Sequence, residues 1–246
     1  MKNKIIITAG GTSEKIDNVR KITNSSTGKL GKIIAETMIS KRNKNIEKIY
    51  YICAKNSLKP KNNKKIEVIE ISDTNSLKNQ IEHLLISESI SHFVHSMAVS
   101  DYCVDFVTSA NDIAQNIIEK KPKNKQGLYD CITNLQKVFS DSKISSNCDD
   151  LVIKLKKTPK IISLIKNISP QTFLVGFKLL DGVSEKQLLD TAINLKSKNN
   201  CDMVVANDLS HIRQGEHKAY IVDQNNNYQI AHGKIDIAQK LIEKMF

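Results

Sequence analysis

The run Ile5-Ile6-Ile7 is apolar at consecutive positions and passes through Thr8-Ala9 into Gly10-Gly11. A strand with one wet face alternates polar and apolar residues; a strand that does not alternate is buried on both faces. Such a strand needs a layer above it and a layer below it. That argues for a parallel sheet covered on both sides by helices. The sequence that follows agrees. Between residues 28 and 42, Leu30, Ile33, Ile34, Met38 and Ile39 recur at helical spacing. Strands are predicted at 49–52, 66–71 and 93–97, with a helix near 77–87 ahead of the last of these.

The middle of the chain is less regular. Residues 119–127 are polar and charged and include Pro122 and Gly127, so they read as a linker or mobile loop within an irregular region around 119–148. Strand character returns at 151–155, where Lys154 opposes its apolar neighbours. Thr158-Pro159 predicts a helix start, because Thr suits the N-cap and Pro the first helical position. A strand at 172–177 is followed by a capping box, Ser184 to Gln187, ahead of a helix. A buried strand at 203–206, a hairpin turning at Asn225-Asn226-Asn227 and a final helix over 235–244 complete a chain expected to form one domain over 1–246.

Composition narrows the function classes. Hydrophobic residues make up 40% of the 246, enough for a packed core. The basic start is followed by only three apolar residues, too few for a signal-peptide core or a membrane span, so a cytoplasmic protein without a membrane partner is expected. The five cysteines are odd in number and widely spaced, which predicts reduced thiols. His92 and His95, three apart in a predicted strand, would face opposite sides, and no metal site built from side chains is expected. The net charge is +11, yet only three of the 37 basic residues are arginine, aromatics are 5%, and Trp is absent. Guanidinium forks and stacking rings are the usual readers of nucleic acid, so no nucleic-acid partner is expected and most lysines read as a solvated surface.

Several features suit anion chemistry, each with a plainer alternative. Gly10-Gly11 lets backbone N–H groups approach a phosphate, or is simply a turn. Asn24-Ser25-Ser26-Thr27-Gly28-Lys29-Leu30-Gly31 runs into a helix whose first N–H groups are unpaired; it is an anion cradle or an ordinary capped helix. Asp101 follows a strand end, where ligands of open parallel sheets gather, though such a residue is often a turn former. Lys143, in Ser142-Lys143-Ile144-Ser145-Ser146, offers a compact charge for a phosphate but is one lysine among many.

Taken in order, certain segments resemble the successive motifs of the phosphopantothenate–cysteine ligase family. They are Thr8-Ala9-Gly10-Gly11-Thr12, Val19-Arg20-Lys21-Ile22-Thr23-Asn24-Ser25-Ser26-Thr27-Gly28, Met97-Ala98-Val99-Ser100-Asp101-Tyr102, and Lys143-Ile144-Ser145-Ser146. Leu155-Lys156-Lys157-Thr158-Pro159, Val175-Gly176-Phe177 and Val205-Ala206-Asn207-Asp208-Leu209 continue the series. Each is weak alone, but the ordered set spans most of the chain. The resemblance implies a Rossmann-like, doubly wound, mostly parallel α/β fold with a small dimerisation extension, working as a homodimer. It implies the stand-alone form, without the flavin-dependent decarboxylase domain that many bacterial members carry, so that a separate decarboxylase acts next. The chain departs from the family in three places. The interval from Asp101 to Lys143 is longer than in the fused enzymes, Phe177 is followed by Lys178-Leu179-Leu180, and Lys196 and Lys198 stand out of register with the lysines expected before Cys201.

The implied reaction joins 4'-phosphopantothenate to L-cysteine on the path to coenzyme A. The carboxylate attacks the α-phosphate of a nucleoside triphosphate, with CTP expected ahead of ATP, to give an acyl-nucleotide, which for CTP is an acyl-cytidylate. The cysteine amine then attacks the acyl carbon. Mg²⁺ is expected on the triphosphate, where it keeps waters and needs few protein ligands. By motif position, Lys143 matches the family's mobile-loop lysine and Asn24 its essential asparagine, the two catalytic candidates. Ser26, Gly28, Gly31, Phe177 and Asn207 match nucleotide contacts, to which Gly10, Gly11 and Asp101 are added. Arg20 matches a residue that grips the phosphate of phosphopantothenate from across a dimer interface, and Ala98 and Val99 match the substrate-lining segment. Two rival classes stand beside this one: a nicotinamide or flavin enzyme, suggested by the glycine turn, and a basic nucleic-acid-binding module, suggested by the charge.

Overall fold

The computed structural model describes residues 2–40, 45–135, 144 and 149–246. In chain order the elements are β1 (Asn3–Ala9), β2 (Ser13–Lys15), β3 (Lys21–Thr23), α1 (Lys29–Ser40), β4 (Ile46–Ala54), β5 (Ile66–Ile71), α2 (Thr74–Ser87) and β6 (Ile90–His95). They continue through β7 (Tyr102–Ser109), α3 (Ala110–Lys120), α4 (Lys125–Thr133), β8 (Leu151–Lys157), α5 (Ile161–Ile168) and β9 (Phe173–Leu180). The last are α6 (Glu185–Asn199), β10 (Met203–Asp208), α7 (Leu209–Arg213), β11 (Lys218–Val222), β12 (Tyr228–His232) and α8 (Gly233–Met245). They group into two compact units: Met1–Thr12, Asn24–Val99 and Lys160–Phe246 form the first, and Ser13–Thr23 and Ser100–Pro159 the second. Among the described residues no helix is long and apolar enough to cross a membrane.

The first unit is built on an eight-stranded sheet in the order β12-β11-β10-β9-β6-β1-β4-β5. Neighbours from β10 to β5 pair in parallel; β11 is antiparallel to both β10 and β12. Side chains alternate across a strand, so the unbroken apolar run of β1 feeds two cores. Ile5, Ile7 and Ala9 pack with Ile34, Ala35 and Met38 of α1 and with Ile237 and Leu241 of α8. Ile6 joins the opposite cluster, with Leu77 and Ile81 of α2, Ile165 of α5 and Leu188 of α6. All three isoleucines of β1 are fully buried. This is the doubly wound α/β sheet the sequence predicts. The winding reverses beside β1: β4 and β5 lie to one side, β6, β9 and β10 to the other. The carboxyl ends of β1 and β6 thereby open a crevice at a topological switch point.

The second unit contains two antiparallel ribbons, β2–β3 and β7–β8, together with α3 and α4. Here the pattern was hard to read. β7 carries half-exposed residues along its first half, and α3 buries none of its side chains. Within the stretch expected to be a loop, 125–133 is instead the helix α4. Asn124 caps it by accepting the Gly127 N–H at 2.8 Å, and Asn116 of α3 donates to the Cys131 carbonyl at 2.7 Å. Lys143, Ser145 and Ser146 lie outside the described residues. Thr158-Pro159 does not open α5, which begins at Ile161 behind an N-cap, Lys160, that makes no side-chain cap bond. The Thr158 hydroxyl is engaged elsewhere: it donates to the Ser100 carbonyl, and the Thr158 N–H donates to that of Asp101.

Lys196 shows how a lysine can be structural here. It is 7% exposed on α6, and its ammonium donates to the carbonyls of Asp223 and Gln224 at 2.8 and 2.7 Å, bracing the turn between β11 and β12. Lys196→Met keeps the apolar stem and removes both bonds. It is expected to lower the unfolding free energy by about 1–2 kcal/mol. Urea denaturation reads this directly, and an unchanged midpoint would remove the bracing role.

Candidate active site

A cleft of about 390 Å³ opens in the first unit at the carboxyl ends of the strands around the switch point. The segment Ser25 to Gly31 forms one wall, Ser96-Met97-Ala98 after β6 another, and Phe177-Lys178-Leu179 of β9 a third. Asn207 at the end of β10, His217 and Lys234 close it. Lys29, Lys178 and Lys234 all line the cleft, and among the described residues no acidic side chain does. Burial, and then the Lys29 ammonium, hold the Lys234 pKa below the ordinary lysine value. A cleft with cations and no carboxylates is built to receive an anion.

The wall beside β1 depends on two glycines. The Thr12 N–H donates to the Ala98 carbonyl at 3.1 Å and the Ala98 N–H to the Gly10 carbonyl at 2.8 Å, tying the segments that follow β1 and β6. Asn24 fits between them. Its N–H donates to the Thr12 carbonyl at 3.2 Å and its side-chain amide to the Ala98 carbonyl at 3.2 Å. A Cβ on Gly11 would sit 2.2 Å from the Asn24 carbonyl oxygen, so only a hydrogen fits. Gly28 has φ +73°, a conformation open to glycine, and brings the chain close to Gly10. The loop is strapped from behind, where the Leu58 N–H donates to the Thr27 carbonyl at 2.9 Å and the Tyr51 hydroxyl to the Gly28 carbonyl at 3.4 Å. Gly31 rests against Ala9 and Ser96, so the unpaired N–H groups and positive dipole end of α1 sit at the cleft.

At the far wall, Asn207 is 6% exposed and its Nδ2 position lies 2.7 Å from His217 Nε2. His217 Nδ1 lies 2.8 Å from the Lys234 ammonium. Burial, and then Lys234, push the His217 pKa down to about 4, so the ring is neutral at neutral pH. Neither His217 nor Lys234 carried a sequence signal, being an isolated histidine and one of many lysines.

Residues 1–112 and 107–246 match the DNA/pantothenate metabolism flavoprotein (DFP) C-terminal domain family. The chain belongs to this family. The DFP chain is 31% identical to the coenzyme A biosynthesis bifunctional protein CoaBC of Thermococcus kodakarensis over 98% of its own length. It spans about half (51%) of that relative's length. Among solved structures, the DNA/pantothenate metabolism flavoprotein of Streptococcus pneumoniae superposes with a TM-score of 0.83 at 38% identity, covering 100% of this chain and 98% of that one. A Cab2 variant in complex with phosphopantothenate-cysteine shares the fold, with a TM-score of 0.67 at 17% identity, covering 99% of this chain and 86% of that one.

In the DFP chain, the nucleotide-contact candidates Ser26, Gly28, Gly31, Phe177 and Asn207 and the substrate-lining candidate Ala98 line one cleft. Gly10, Gly11 and Asn24 are tied to that wall through the bonds described above, and Val99 packs on the adjoining core. Arg20 and Asp101 belong to the second unit, and Lys143 lies outside the described residues. The Arg20 Nε and Nη2 donate to Asp17 Oδ2 at 2.9 and 2.6 Å, and Nη2 also donates to the Ile144 carbonyl at 3.0 Å. Burial works to raise the Asp17 pKa. The Arg20 guanidinium and the N–H groups of Arg20, Val19 and Ile144 outweigh it and hold the carboxyl well below the usual carboxylate range. Gly11→Ala in this DFP chain is expected to displace Asn24 and to cost about 1–3 kcal/mol of stability. The Asn24 side-chain amide resonances and the unfolding midpoint check both, and an unshifted Asn24 would show that the loop yields without it.

Proposed function

We propose that this chain is a phosphopantothenate–cysteine ligase, joining 4'-phosphopantothenate to L-cysteine through an acyl-nucleotide. The observation that carries the reading is the basic cleft at the switch point, lined by no carboxylate among the described residues. There Ser26, Gly28, Gly31, Phe177 and Asn207, separated by up to most of the chain, converge beside Asn24. Membership of the DFP family and the likeness to a protein of coenzyme A biosynthesis support the same reading.

A carboxylate is a poor acyl electrophile, so activation comes first. A carboxylate oxygen of phosphopantothenate attacks the α-phosphorus, the bond from that phosphorus to the bridging oxygen breaks, and pyrophosphate leaves. The free amine of cysteine then attacks the acyl carbon, gives up a proton, and expels the nucleoside monophosphate with its bonding pair. Both reactants of the first step are anions. Screening therefore falls to Lys29, Lys178, Lys234 and the N-terminus of α1 in the cleft, and to Lys143 by its match to the family motif. CTP is the proposed co-substrate ahead of ATP. Mg²⁺ would arrive on the triphosphate and neutralise part of its charge. Among the described residues no cluster of three His, Cys, Asp or Glu side chains offers it a protein-built site. Asn24, with its amide turned along the Ala98 carbonyl, would hold the acyl-nucleotide for the second step.

Arg20 is proposed to grip the phosphate of phosphopantothenate. Asp17 presents its guanidinium as a fixed fork, and the Nη1 hydrogens have no partner among the described residues. A homodimer is proposed as the working form. Ile118, Tyr129 and Tyr102 of the second unit are 65, 59 and 50% exposed, apolar side chains of the kind a second copy would cover. The product would pass to a decarboxylase, and the cytoplasm is the proposed location.

The direct test is incubation with 4'-phosphopantothenate, cysteine, Mg²⁺ and either CTP or ATP, following phosphopantothenoylcysteine and pyrophosphate. Absence of product with both nucleotides would refute the reading. Asn24→Asp is expected to let acyl-nucleotide accumulate while ligation of cysteine slows; ligation at the wild-type rate would remove the assignment. Arg20→Ala should raise the Michaelis constant for phosphopantothenate about tenfold or more, the scale of one charge-assisted contact. The constant for the nucleotide should stay nearly unchanged, and equal effects on both would argue against a phosphate grip.

A further inference from the structure

We propose that His217 and Lys234 are positioning residues that fix the side-chain amide of Asn207 with its NH2 group turned into the cleft, where it donates to an acceptor on the bound nucleotide. The proposal rests on the reading of the cleft as a nucleotide site and goes beyond it by assigning the polarity of one contact.

Donors and acceptors must match along three touching groups. Lys234 Nζ lies 2.8 Å from His217 Nδ1, and His217 Nε2 lies 2.7 Å from the Asn207 amide. An ammonium has donors only; a neutral imidazole has one donor and one acceptor. Lys234 donating to Nδ1 therefore leaves the ring proton on Nε2. Nε2–H needs an acceptor, and the only one the amide offers is Oδ1. Turning the Asn207 nitrogen toward Nε2 instead would place the ring proton on Nδ1, against the ammonium, donor facing donor. The two amide orientations differ only by exchange of oxygen and nitrogen, which their shapes do not distinguish. The hydrogen-bond chain chooses between them. Oδ1 faces His217, and the NH2 group is left for the cleft that Asn207 lines.

The backbone holds this chain in register. The Gly233 N–H donates to the His217 carbonyl at 2.8 Å, so the residue before Lys234 is pinned to His217 itself. Asn207 pairs with Ala219 across β10 and β11, two residues beyond His217. The other charged groups lining the cleft are Lys29 from α1 and Lys178 from β9, both cations. No carboxylate among the lining residues would draw the Lys234 ammonium away from the ring.

Two measurements on the whole chain test the proposal. Nitrogen-15 spectra of the His217 ring should show the Nε2–H tautomer in the wild type and a shift toward Nδ1–H in Lys234→Met. Equilibrium titration with CTP or ATP, without phosphopantothenate, should show His217→Leu binding CTP about tenfold more weakly, although it removes no charge from the cleft. His217→Gln should restore binding, because its carbonyl can accept from Lys234 and its NH2 can donate to Asn207 in the same sense. The acceptor on the nucleotide is a sugar or phosphate oxygen, common to both, if His217→Leu weakens CTP and ATP alike. It is the pyrimidine carbonyl, which adenine lacks, if only CTP suffers. A wild-type Nδ1–H tautomer, wild-type CTP affinity in His217→Leu, or failure of His217→Gln to restore binding would overturn the proposal. Nucleotide binding with this pattern but no phosphopantothenoylcysteine formed would sink the ligase reading and leave the positioning role standing; no nucleotide binding by the wild type would sink both.

Discussion

Burial of β1 on both faces is the constraint on which the first unit depends. Ile5 and Ile7 belong to one core and Ile6 to the other, so α1 and α8 must cover one side of the sheet and α2, α5 and α6 the other. With β1 at the point where the winding reverses, its carboxyl end cannot be covered by a crossover from either neighbour. The residues just beyond that end are thus free to be functional. Gly11 is small because the Asn24 segment must come close to the strand end, and Gly10, at φ +86°, because a side chain there would run into Ser57. A side chain at Gly11 would collide with the Asn24 carbonyl. The same packing that makes the core also decides how near Asn24 can stand to the cleft.

The position of Asn24 has a second cause in the path of the chain. The segment Ser13–Thr23 leaves the first unit after Thr12, and the chain returns to that unit at Asn24. The bond from the Asn24 N–H to the Thr12 carbonyl closes the excursion at its root. Whatever the excursion contributes, Asn24 is held by backbone on one side and by the Ala98 carbonyl on the other. A polar side chain so held loses little further freedom when a ligand arrives, which is how a scaffold favours one bound geometry.

Legibility from sequence followed burial. β1, β4, β6, β9 and β10 announced themselves through apolar runs, and α2 and α6 through apolar periodicity, because each packs on the sheet and its pattern is what packing demands. β7 and α3 did not, since neither buries a full face within its own unit. Thr158-Pro159 misled because the hydroxyl that would cap a helix is spent on the Ser100 carbonyl, a bond that no local pattern records. In the site, Gly10 to Gly11 and Asn24 to Gly31 were visible as a glycine turn and a helix entry. His217 and Lys234 were not, because the link from Asn207 through His217 to Lys234 joins residues far apart in the sequence.

The lysines make the same point with charge. Composition supplies many cations and cannot say which ones act. Lys196 is consumed by two carbonyls of a turn, and Lys166 pairs with Asp202 at 2.8 Å, so both are part of the scaffold. Lys234 is different. Its ammonium meets a neutral imidazole that takes one of its hydrogens and none of its charge, and a second cation, Lys29, stands close enough to lower its pKa. Two ammonium groups held near each other without a carboxylate between them raise the free energy of the empty cleft. That cost is removed when a polyanion enters. Scaffold lysines have their charge satisfied within the fold; on the proposed reading, cleft lysines would have it satisfied by the ligand. The net charge of +11 says nothing of function until the partners of each lysine are known.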